Sequence, residues 1–305
     1  MSQLPRDAAL AASDARPLIV DGMAALVDRV DGLVLDQWGV LHNGAEPYPG
    51  VVDCLARLRD RGTPLAVLSN QPRPGPRIAE RLAALGIDPA LFTAIVTSGD
   101  DARDFFKRRP DAFYRALGHR FVGVAEGDSV ELFTPGLEDL VRVDDPAEAE
   151  FVLMLRTREG ATVADYQPLL DAALKARLPA VCANPDHIAP HPGGVHMCPG
   201  AVAARYEAMG GIVRYHGKPH AAIYERVRSS LGLPPDARVA MVGDSLMHDI
   251  GFADAAGIMG VFVAGGIHLD DLGGVFGARP DNDALAVLCA REGRAPDWVV
   301  PSFRW

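Results

Sequence analysis

The stretch Leu33-Val34-Leu35-Asp36-Gln37-Trp38-Gly39-Val40-Leu41 decides the fold. Three aliphatic residues run into one carboxylate, and the chain then turns at a glycine. Such an apolar run is typical of a strand buried in a parallel sheet, and ligands of open α/β folds bind at the carboxyl ends of these strands. Because a buried carboxylate is costly unless a cation compensates it, Asp36 is a candidate for chemistry; the alternative is a capping or turn Asp followed by a core Trp.

Strands and helices alternate on both sides of this stretch. Apolar runs predict strands over 64–68, 94–97, 238–242 and 259–263, and helical spacing predicts helices over 19–30, 51–61 and 77–85. His216-Gly217-Lys218-Pro219 is predicted to open a further helix, with its proline in the first turn. This alternation predicts a doubly wound parallel-sheet α/β core of Rossmann-like type.

A length of 305 residues suggests two domains. Between about Asp100 and Gly210 the predicted strands 120–124, 151–155 and 180–183 form a self-contained α/β unit, which we interpret as an inserted cap. The predicted division is core over 1–99 and 209–305, with the α/β cap over 100–208. The apolar tail 298–305 is predicted to pack on the core or on a second subunit.

Composition excludes several partners. A net charge of −10 argues against nucleic acid, which requires a basic surface, and it means that a phosphate site needs local cations. No segment is long and apolar enough to span a membrane, and Met1 to Pro17 does not have the pattern of a signal peptide. The scattered Cys54, Cys182, Cys198 and Cys289 favour reduced thiols and a cytoplasmic protein.

Further motifs follow Asp36 in order along the chain. They are Ser69-Asn70 at a strand end, Asn184-Pro185-Asp186 in the cap, Gly217-Lys218-Pro219, and Gly243-Asp244-Ser245-Leu246 with Asp249 five places after Asp244. From about Asp31 to Gly266 the chain resembles the haloacid dehalogenase superfamily of phosphohydrolases. It is most similar to class IIA, the p-nitrophenylphosphatase and phosphoglycolate-phosphatase branch, in a subgroup whose first motif reads Asp-x-Trp-Gly-Val-Leu-His.

The resemblance implies hydrolysis of a small phosphate ester, a sugar phosphate or similar metabolite, through an aspartyl-phosphate on Asp36. It implies that Asp36, Asp244 and the backbone carbonyl of Trp38 bind Mg²⁺, with Asp249 holding the ion through water or from further out. Ser69 and Lys218 would bind the phosphoryl oxygens. The related class often dimerises through its caps, so a homodimer is one of the oligomeric states left open.

Other residues are candidates for phosphate or substrate contact: Asn70, Asn184, Asp186 and His187. Each motif residue also has a structural alternative. Ser69 and Asn70 are common turn formers, Lys218 could be a solvated lysine at a helix start, and Asp244 and Asp249 could cap or face solvent.

Trp38 departs from the family pattern. Most phosphatases of this superfamily carry a second Asp two residues after the nucleophile, where it protonates the leaving oxygen, but indole offers no usable acid or base. Three possibilities remain open. The substrate's leaving group needs little protonation; another group such as His42, Asn43 or His187 replaces the acid; or the protein binds a phosphorylated metabolite with little turnover.

A histidine-rich segment in the cap suggests an alternative metal site. His187, His191, His196 and Cys198, with Cys182 nearby, could hold Zn²⁺, although their spacing fits no common zinc pattern. The interleaved prolines and glycines predict an irregular loop. The other interpretation, which the resemblance favours, is a loop that hangs over the active site and selects the leaving group.

Overall fold

A computed structural model describes residues 17–191 and 194–305. Residues 1–16 and 192–193 and the side chains of 190–195 lie outside this description. The prediction that Met1 to Pro17 is not a signal peptide falls almost entirely on the first of these segments. Within the described part, no helix is both long and apolar enough to cross a bilayer.

The described strands are β1 Leu18–Ile19, β2 Gly32–Leu35, β3 Leu65–Ser69, β4 Ala94–Thr97, β5 Arg120–Val124, β6 Val141–Arg142, β7 Phe151–Met154, β8 Ala180–Cys182, β9 Ile188–His191, β10 Gly194–Met197, β11 Val213–Tyr215, β12 Val239–Gly243, β13 Met259–Val263 and β14 Trp298–Val300. The α-helices are α1 Val51–Asp60, α2 Gly75–Ala84, α3 Ser98–Arg108, α4 Ala112–Ala116, α5 Ser129–Phe133, α6 Gln167–Lys175, α7 Pro199–Ala208, α8 Tyr224–Ser230, α9 Gly251–Ala256 and α10 Asn282–Glu292. Short 3-10 turns cover Met23–Ala25, Val27–Arg29, Pro89–Leu91, Val163–Tyr166, Ala221–Ile223 and Asp270–Leu272, and a π-helical turn covers Leu246–Ile250.

The core sheet is parallel and has the strand order β1-β14-β13-β12-β2-β3-β4. Its central strand β2 is buried on both faces, with Leu33 and Leu35 in one apolar cluster and Val34 in another. Leu35 pairs with Val242 of β12 on one side and with Val67 of β3 on the other. The residues that follow these three strands therefore meet at one edge of the sheet, as the doubly wound prediction requires.

A second parallel sheet, in the order β11-β8-β7-β5-β6, lies in the intervening segment. It also has an apolar cluster on each face, with Leu153 on one and Val152 on the other. The prediction assigned β11 to the second part of the core, but Val213–Tyr215 pairs with β8. This pairing favours placing the end of the cap after Tyr215; the residue bounds of the domains remain a prediction.

Three local predictions differ from the structure. Residues 19–30 form two 3-10 turns after β1 rather than one helix, because Ile19 pairs with Val299 of β14 and residue 22 is extended. The helix predicted to open at 216–219 begins only with the 3-10 turn at residue 221. The irregular loop predicted around residue 190 contains the antiparallel hairpin β9–β10.

The C-terminal tail packs on the core, which is one of the two predicted outcomes. Its strand β14 lies between β1 and β13 in the core sheet, and Phe303 beyond it is fully buried. The tail is thus part of the same layer that carries the site.

Candidate active site

An ammonium group lies between two carboxylates at the edge of the core sheet. Lys218 Nζ donates to Asp36 Oδ1 and to Asp249 Oδ1, each at 2.7 Å. Lys218 is 2% exposed, so it is not the solvated lysine of the structural alternative. Asp36 directly follows β2, and Asp249 lies in the π-helical turn after β12. The motifs are therefore brought together by the adjacency of β2 and β12.

Asp244 completes a group of three carboxylates. Asp36, Asp244 and Asp249 each offer an oxygen within 4.8 Å of the others. Asp244 Oδ2 accepts the N–H of Ile267 at 2.7 Å, and Asp249 Oδ2 accepts the N–H of Ser245 at 2.9 Å. Both carboxylates are thus held in place by the backbone rather than free to turn to solvent.

Glycine at position 39 is required by this packing. Its φ is +76°, and a Cβ placed there would lie 1.8 Å from Asp244 Oδ2. A side chain at this turn would therefore displace the carboxylate, which explains why the first motif turns at a glycine.

Three carboxylates crowd around one buried ammonium, and this crowding shifts the pKa values of the site. Burial, and then the neighbouring Asp249, raise the pKa of Asp36 to about 7. Burial, with Asp36 and Asp249 nearby, raises the pKa of Asp244 well above its usual range. Burial alone would lower the pKa of Lys218, but Asp249 and Asp36 outweigh it and raise the pKa. One ammonium does not neutralise three acids, and a cluster of hard carboxylate oxygens fits a divalent cation.

The Ser69 and Asn70 side chains have different surroundings. Ser69 Oγ accepts one hydrogen bond from Gln37 Nε2 at 2.5 Å and another from the Gln71 N–H at 3.2 Å. Asn70 binds the main chain of Lys218 at both ends, since its Oδ1 accepts the Lys218 N–H at 2.8 Å and its Nδ2 donates to the Lys218 carbonyl at 3.0 Å. This clamp prevents a helical turn at Lys218 and positions its side chain.

The cap contributes Asp186 and His187 to the same cavity. Asn70 Nδ2 also donates to Asp186 Oδ1 at 2.7 Å, which links core and cap directly. Asn184 lines the same cavity, and its Oδ1 accepts the N–H of Asp186 at 3.2 Å. Asn184 and Asp186 of the Asn-Pro-Asp motif, and His187 directly after it, therefore all line the cavity as predicted substrate contacts would.

The sequence reasoning missed His248. It is nearly buried, its Nδ1 lies 3.6 Å from Asp186 Oδ1, and its ring centroid lies 6.2 Å from that of His187. Its position directly before Asp249 in the motif was the available signal.

Two of the residues predicted to replace the general acid, His42 and Asn43, make hydrogen bonds away from the cavity. His42 is fully buried, its Nδ1 accepts the N–H of Gly44 at 3.1 Å, and burial lowers its pKa to about 4. Asn43 Oδ1 accepts the N–H groups of Ala45 and Glu46 in a tight turn. Neither side chain lines the cavity, whereas His187 does.

A cavity of about 550 Å³ lies between the core and the cap. Asp36, Trp38, Lys218 and Asp244 line it from the core, and His187 and His196 line it from the cap. Its size suits a small metabolite.

The zinc alternative receives no support from the described residues. Among the side chains that the structure describes, those of 17–189 and 196–305, the three aspartates are the one group of His, Cys, Asp or Glu close enough to hold a metal. Cys182 Sγ instead donates to the carbonyl of Asn184, and Cys198 is buried. The side chain of His191 lies outside the description.

Comparisons with known proteins agree with this geometry. Residues 33–131 and 132–257 match family models described as haloacid dehalogenase-like hydrolase, and residues 215–304 match one described as HAD-hydrolase-like. The ribonucleotide monophosphatase NagD of Escherichia coli K12 is 28% identical over 277 residues, covering 90% of this chain and 96% of NagD.

Human chronophin is 30% identical over 259 residues, covering 80% of this chain and 85% of chronophin. A solved haloacid dehalogenase-like hydrolase from Brucella suis 1330 superposes with a TM-score of 0.76 at 28% identity, covering 92% of this chain and 98% of the other. The assignment to the subgroup with tryptophan in the first motif stays a prediction. The chain belongs to the haloacid dehalogenase-like hydrolases and is homologous to NagD and chronophin.

Proposed function

We propose that this protein is a Mg²⁺-dependent phosphatase that hydrolyses a small phosphate ester through an aspartyl-phosphate on Asp36. The observation that carries the proposal is the three-aspartate cluster with Lys218 at the wall of a metabolite-sized cavity. The relative NagD, a ribonucleotide monophosphatase by name, supports the reaction class.

Asp36 is the proposed nucleophile. Its carboxylate oxygen bonds to phosphorus while the ester P–O bond breaks, and the alkoxide departs and takes a proton from water. A second water then bonds to phosphorus through its oxygen, the P–O bond to Asp36 breaks, and inorganic phosphate and free Asp36 result; the protons that this water releases neutralise the hydroxide left by the first step. Attack requires the ionised carboxylate, which burial disfavours in the protein alone. Asp36, Asp244 and the Trp38 carbonyl would hold Mg²⁺, which when bound supplies positive charge that favours both ionisation and approach of the anionic phosphate.

Lys218 and Ser69 are the proposed donors to the phosphoryl oxygens. Both are buried at the site edge, so their hydrogen bonds act where water competes little. Asn70 is a positioning residue in this scheme, because both ends of its amide hold the Lys218 main chain. Asp249 would orient Lys218 and act on the ion only indirectly.

Trp38 stands where most relatives in the superfamily carry the acid, and its indole has no acidic proton to give to the leaving oxygen. Its ring packs edge-on against His42, with ring centroids 5.0 Å apart. Of the groups predicted to replace that acid, His187 alone lines the cavity. Burial lowers the pKa of His187, so it would be neutral at pH 7 and would suit esters whose leaving groups need little protonation.

The test is phosphate release from a panel of aryl and alkyl phosphates, with Mg²⁺ or with EDTA, for the wild type, Asp36→Asn and Trp38→Asp. We expect Mg²⁺-dependent release, its loss in Asp36→Asn, and a gain of about 10²-fold on alkyl phosphates in Trp38→Asp, because a general acid is restored. Full release by Asp36→Asn would contradict the nucleophile. An unchanged rate in Trp38→Asp would contradict the missing-acid argument.

The tryptophan in place of an acid also favours a second candidate function, a protein that binds a phosphorylated metabolite with little turnover. Its signature would be Mg²⁺-dependent binding of phosphate esters, measured by calorimetry, with no release from any member of the panel.

A further inference from the structure

Four cationic side chains line the cavity, and three of them are already paired. The pairs are Lys218 with Asp36 and Asp249 at 2.7 Å, Arg73 with Asp128 at 3.4 Å, and Arg291 with Asp271 at 2.8 Å. Arg156 is the fourth, and no acid among the described residues lies within 4 Å of its guanidinium. Its charge is therefore available to a ligand in the cavity.

Arg156 is presented by a rigid element. It follows β7 in the cap sheet, and its N–H bonds to the carbonyl of Val124 in β5 at 3.1 Å. The next residue, Thr157, is buried and its hydroxyl bonds to the Met197 carbonyl of the hairpin. Arg156 thus lines the cavity from the cap, whereas the aspartates line it from the core. Its side chain is exposed, and its Nη1 would lie 4.0 Å from a Cβ added at Gly127, in the loop that precedes α5.

A second polar group on the same wall lacks a partner. Ser129, 6% exposed, lines the cavity at the start of α5, and its Oγ is the one buried side-chain N or O atom of the described residues without a hydrogen bond. Such an atom costs stability unless a ligand or water satisfies it. Arg156 lies beside the loop that leads to Ser129, since its Nη1 would be 4.0 Å from a Cβ added at Gly127. A cation without an acidic partner and a hydroxyl without a hydrogen bond, both lining one cavity from the cap, have the chemistry of an anion subsite.

We propose that Arg156 and Ser129 form a specificity subsite for a second anionic group, a carboxylate or a second phosphate, on the leaving group of the substrate. The inference rests on the proposed function, because it places the scissile phosphate at Asp36. Arg156 binds carboxylate and phosphate alike through its planar fork of N–H donors. The substrate class is then a phosphate monoester whose alcohol carries a further negative charge.

Matched substrate pairs test this subsite. Glycerol 3-phosphate and 3-phosphoglycerate differ by a carboxylate, and the mono- and bisphosphates of 1,3-propanediol differ by a phosphate. In each pair, the charged member is the one that carries the additional carboxylate or phosphate. We expect the wild type to show a kcat/KM about 10–100-fold higher for the charged member of at least one pair, and that pair identifies the anion. Arg156→Gln should remove that preference and bring the kcat/KM ratio within the pair to about one.

Arg158→Gln is the matched control. This arginine lies two residues further on the cap surface, outside the cavity, and pairs with Asp165 at 3.7 Å. It should keep the wild-type preference. Ser129→Ala should lower kcat/KM for the charged member by about 3-fold through the lost hydroxyl.

The outcomes separate the subsite from the reaction. Turnover without a charge preference, or a preference that survives Arg156→Gln, overturns the subsite while the phosphatase stands. If no ester is turned over, the proposed function fails, and calorimetry with the same pairs decides the subsite: tighter binding of the charged member, lost in Arg156→Gln, supports it, and equal binding overturns it.

Discussion

Two buried networks of charged side chains lie on either side of Gly217, and they differ in what they leave unsatisfied. On one side Lys218 bridges Asp36 and Asp249. On the other, His216 Nδ1 lies 2.6 Å from Asp101 Oδ2, and His216 Nε2 is hydrogen-bonded to the hydroxyl of Tyr114.

Burial does not distinguish the two networks, since His216, Asp101 and Tyr114 are each under 5% exposed, as is Lys218. Access and charge balance do. The His216 network is one acid, one imidazole and one hydroxyl, it does not line the cavity, and each group has its partner. The Lys218 network borders the cavity and has more acids than cations. We interpret the first as a structural clamp between α3 and α4, and the second as reactive.

The largest effect is expected from a substitution that removes Lys218 from the reactive network. Lys218→Met should lower kcat/KM for any turned-over phosphate ester by about 10³-fold, because the proposed buried donor to the transferring phosphoryl group is lost. Steady-state kinetics measure it, with Lys175→Met on the exposed face of α6 as the control. A Lys218→Met enzyme within tenfold of wild type would mean that the two networks do not differ in this way.

The next effect should break the structural network and leave the chemistry. His216→Leu removes the partner of a buried carboxylate and of a buried hydroxyl, and we expect the free energy of unfolding to fall by about 3 kcal/mol. Urea unfolding measures this change. At a temperature where the variant is folded, its kcat should stay within about threefold of wild type.

Tyr114→Phe gives the internal control for that experiment, because it removes the hydroxyl and leaves the His216–Asp101 pair. It should cost about 1 kcal/mol. A His216→Leu variant as stable as wild type but inactive would reverse the assignment of the two networks.

The smallest effect is the pH dependence of metal stabilisation. The raised pKa values of Asp36, about 7, and of Asp244 mean that the folded apoprotein keeps protons that the unfolded chain loses above about pH 4. The contribution of Asp36 to stability is full below about pH 4 and is lost as the pH rises through about 7, and that of Asp244 changes in the same direction. Mg²⁺ must displace these protons, so its stabilising effect should grow over the same range.

Thermal unfolding with Mg²⁺ or EDTA at pH 8 and pH 5.5 measures this change. At saturating Mg²⁺ we expect a Tm gain of about 4 °C at pH 8 and less than half of that at pH 5.5. Asp244→Asn should abolish the gain. A gain that is equal at both pH values would show that the aspartates do not lose protons on metal binding.

The fold was largely predictable from sequence, and the reasons are local. Strands such as β4 and β13, whose predicted bounds match the structure, are short apolar runs bounded by turn residues. The helix predicted over 19–30 was wrong because the pairing of β1 with β14, a contact between distant parts of the chain, overrides the helical spacing.

The positions of the candidate site residues were predictable where a motif residue directly follows a strand. Asp36 and Asp244 fall in this class, since strand ends gather at one edge of a parallel sheet. The clamp of Asn70 on Lys218, the place of His248 beside Asp186 and the unpaired state of Arg156 depend on tertiary contacts. No spacing rule encodes those contacts, so they could only be found in three dimensions.

The pairing of β2 with β12 also has a consequence for biosynthesis. Until the ribosome has delivered β12, the all-apolar β2 lacks a neighbour on one side, although α1 and β3 have already emerged. Nascent chains should therefore expose an apolar strand edge with unpaired backbone N–H and C=O groups for most of translation. We expect them to bind chaperones until the second core segment is released.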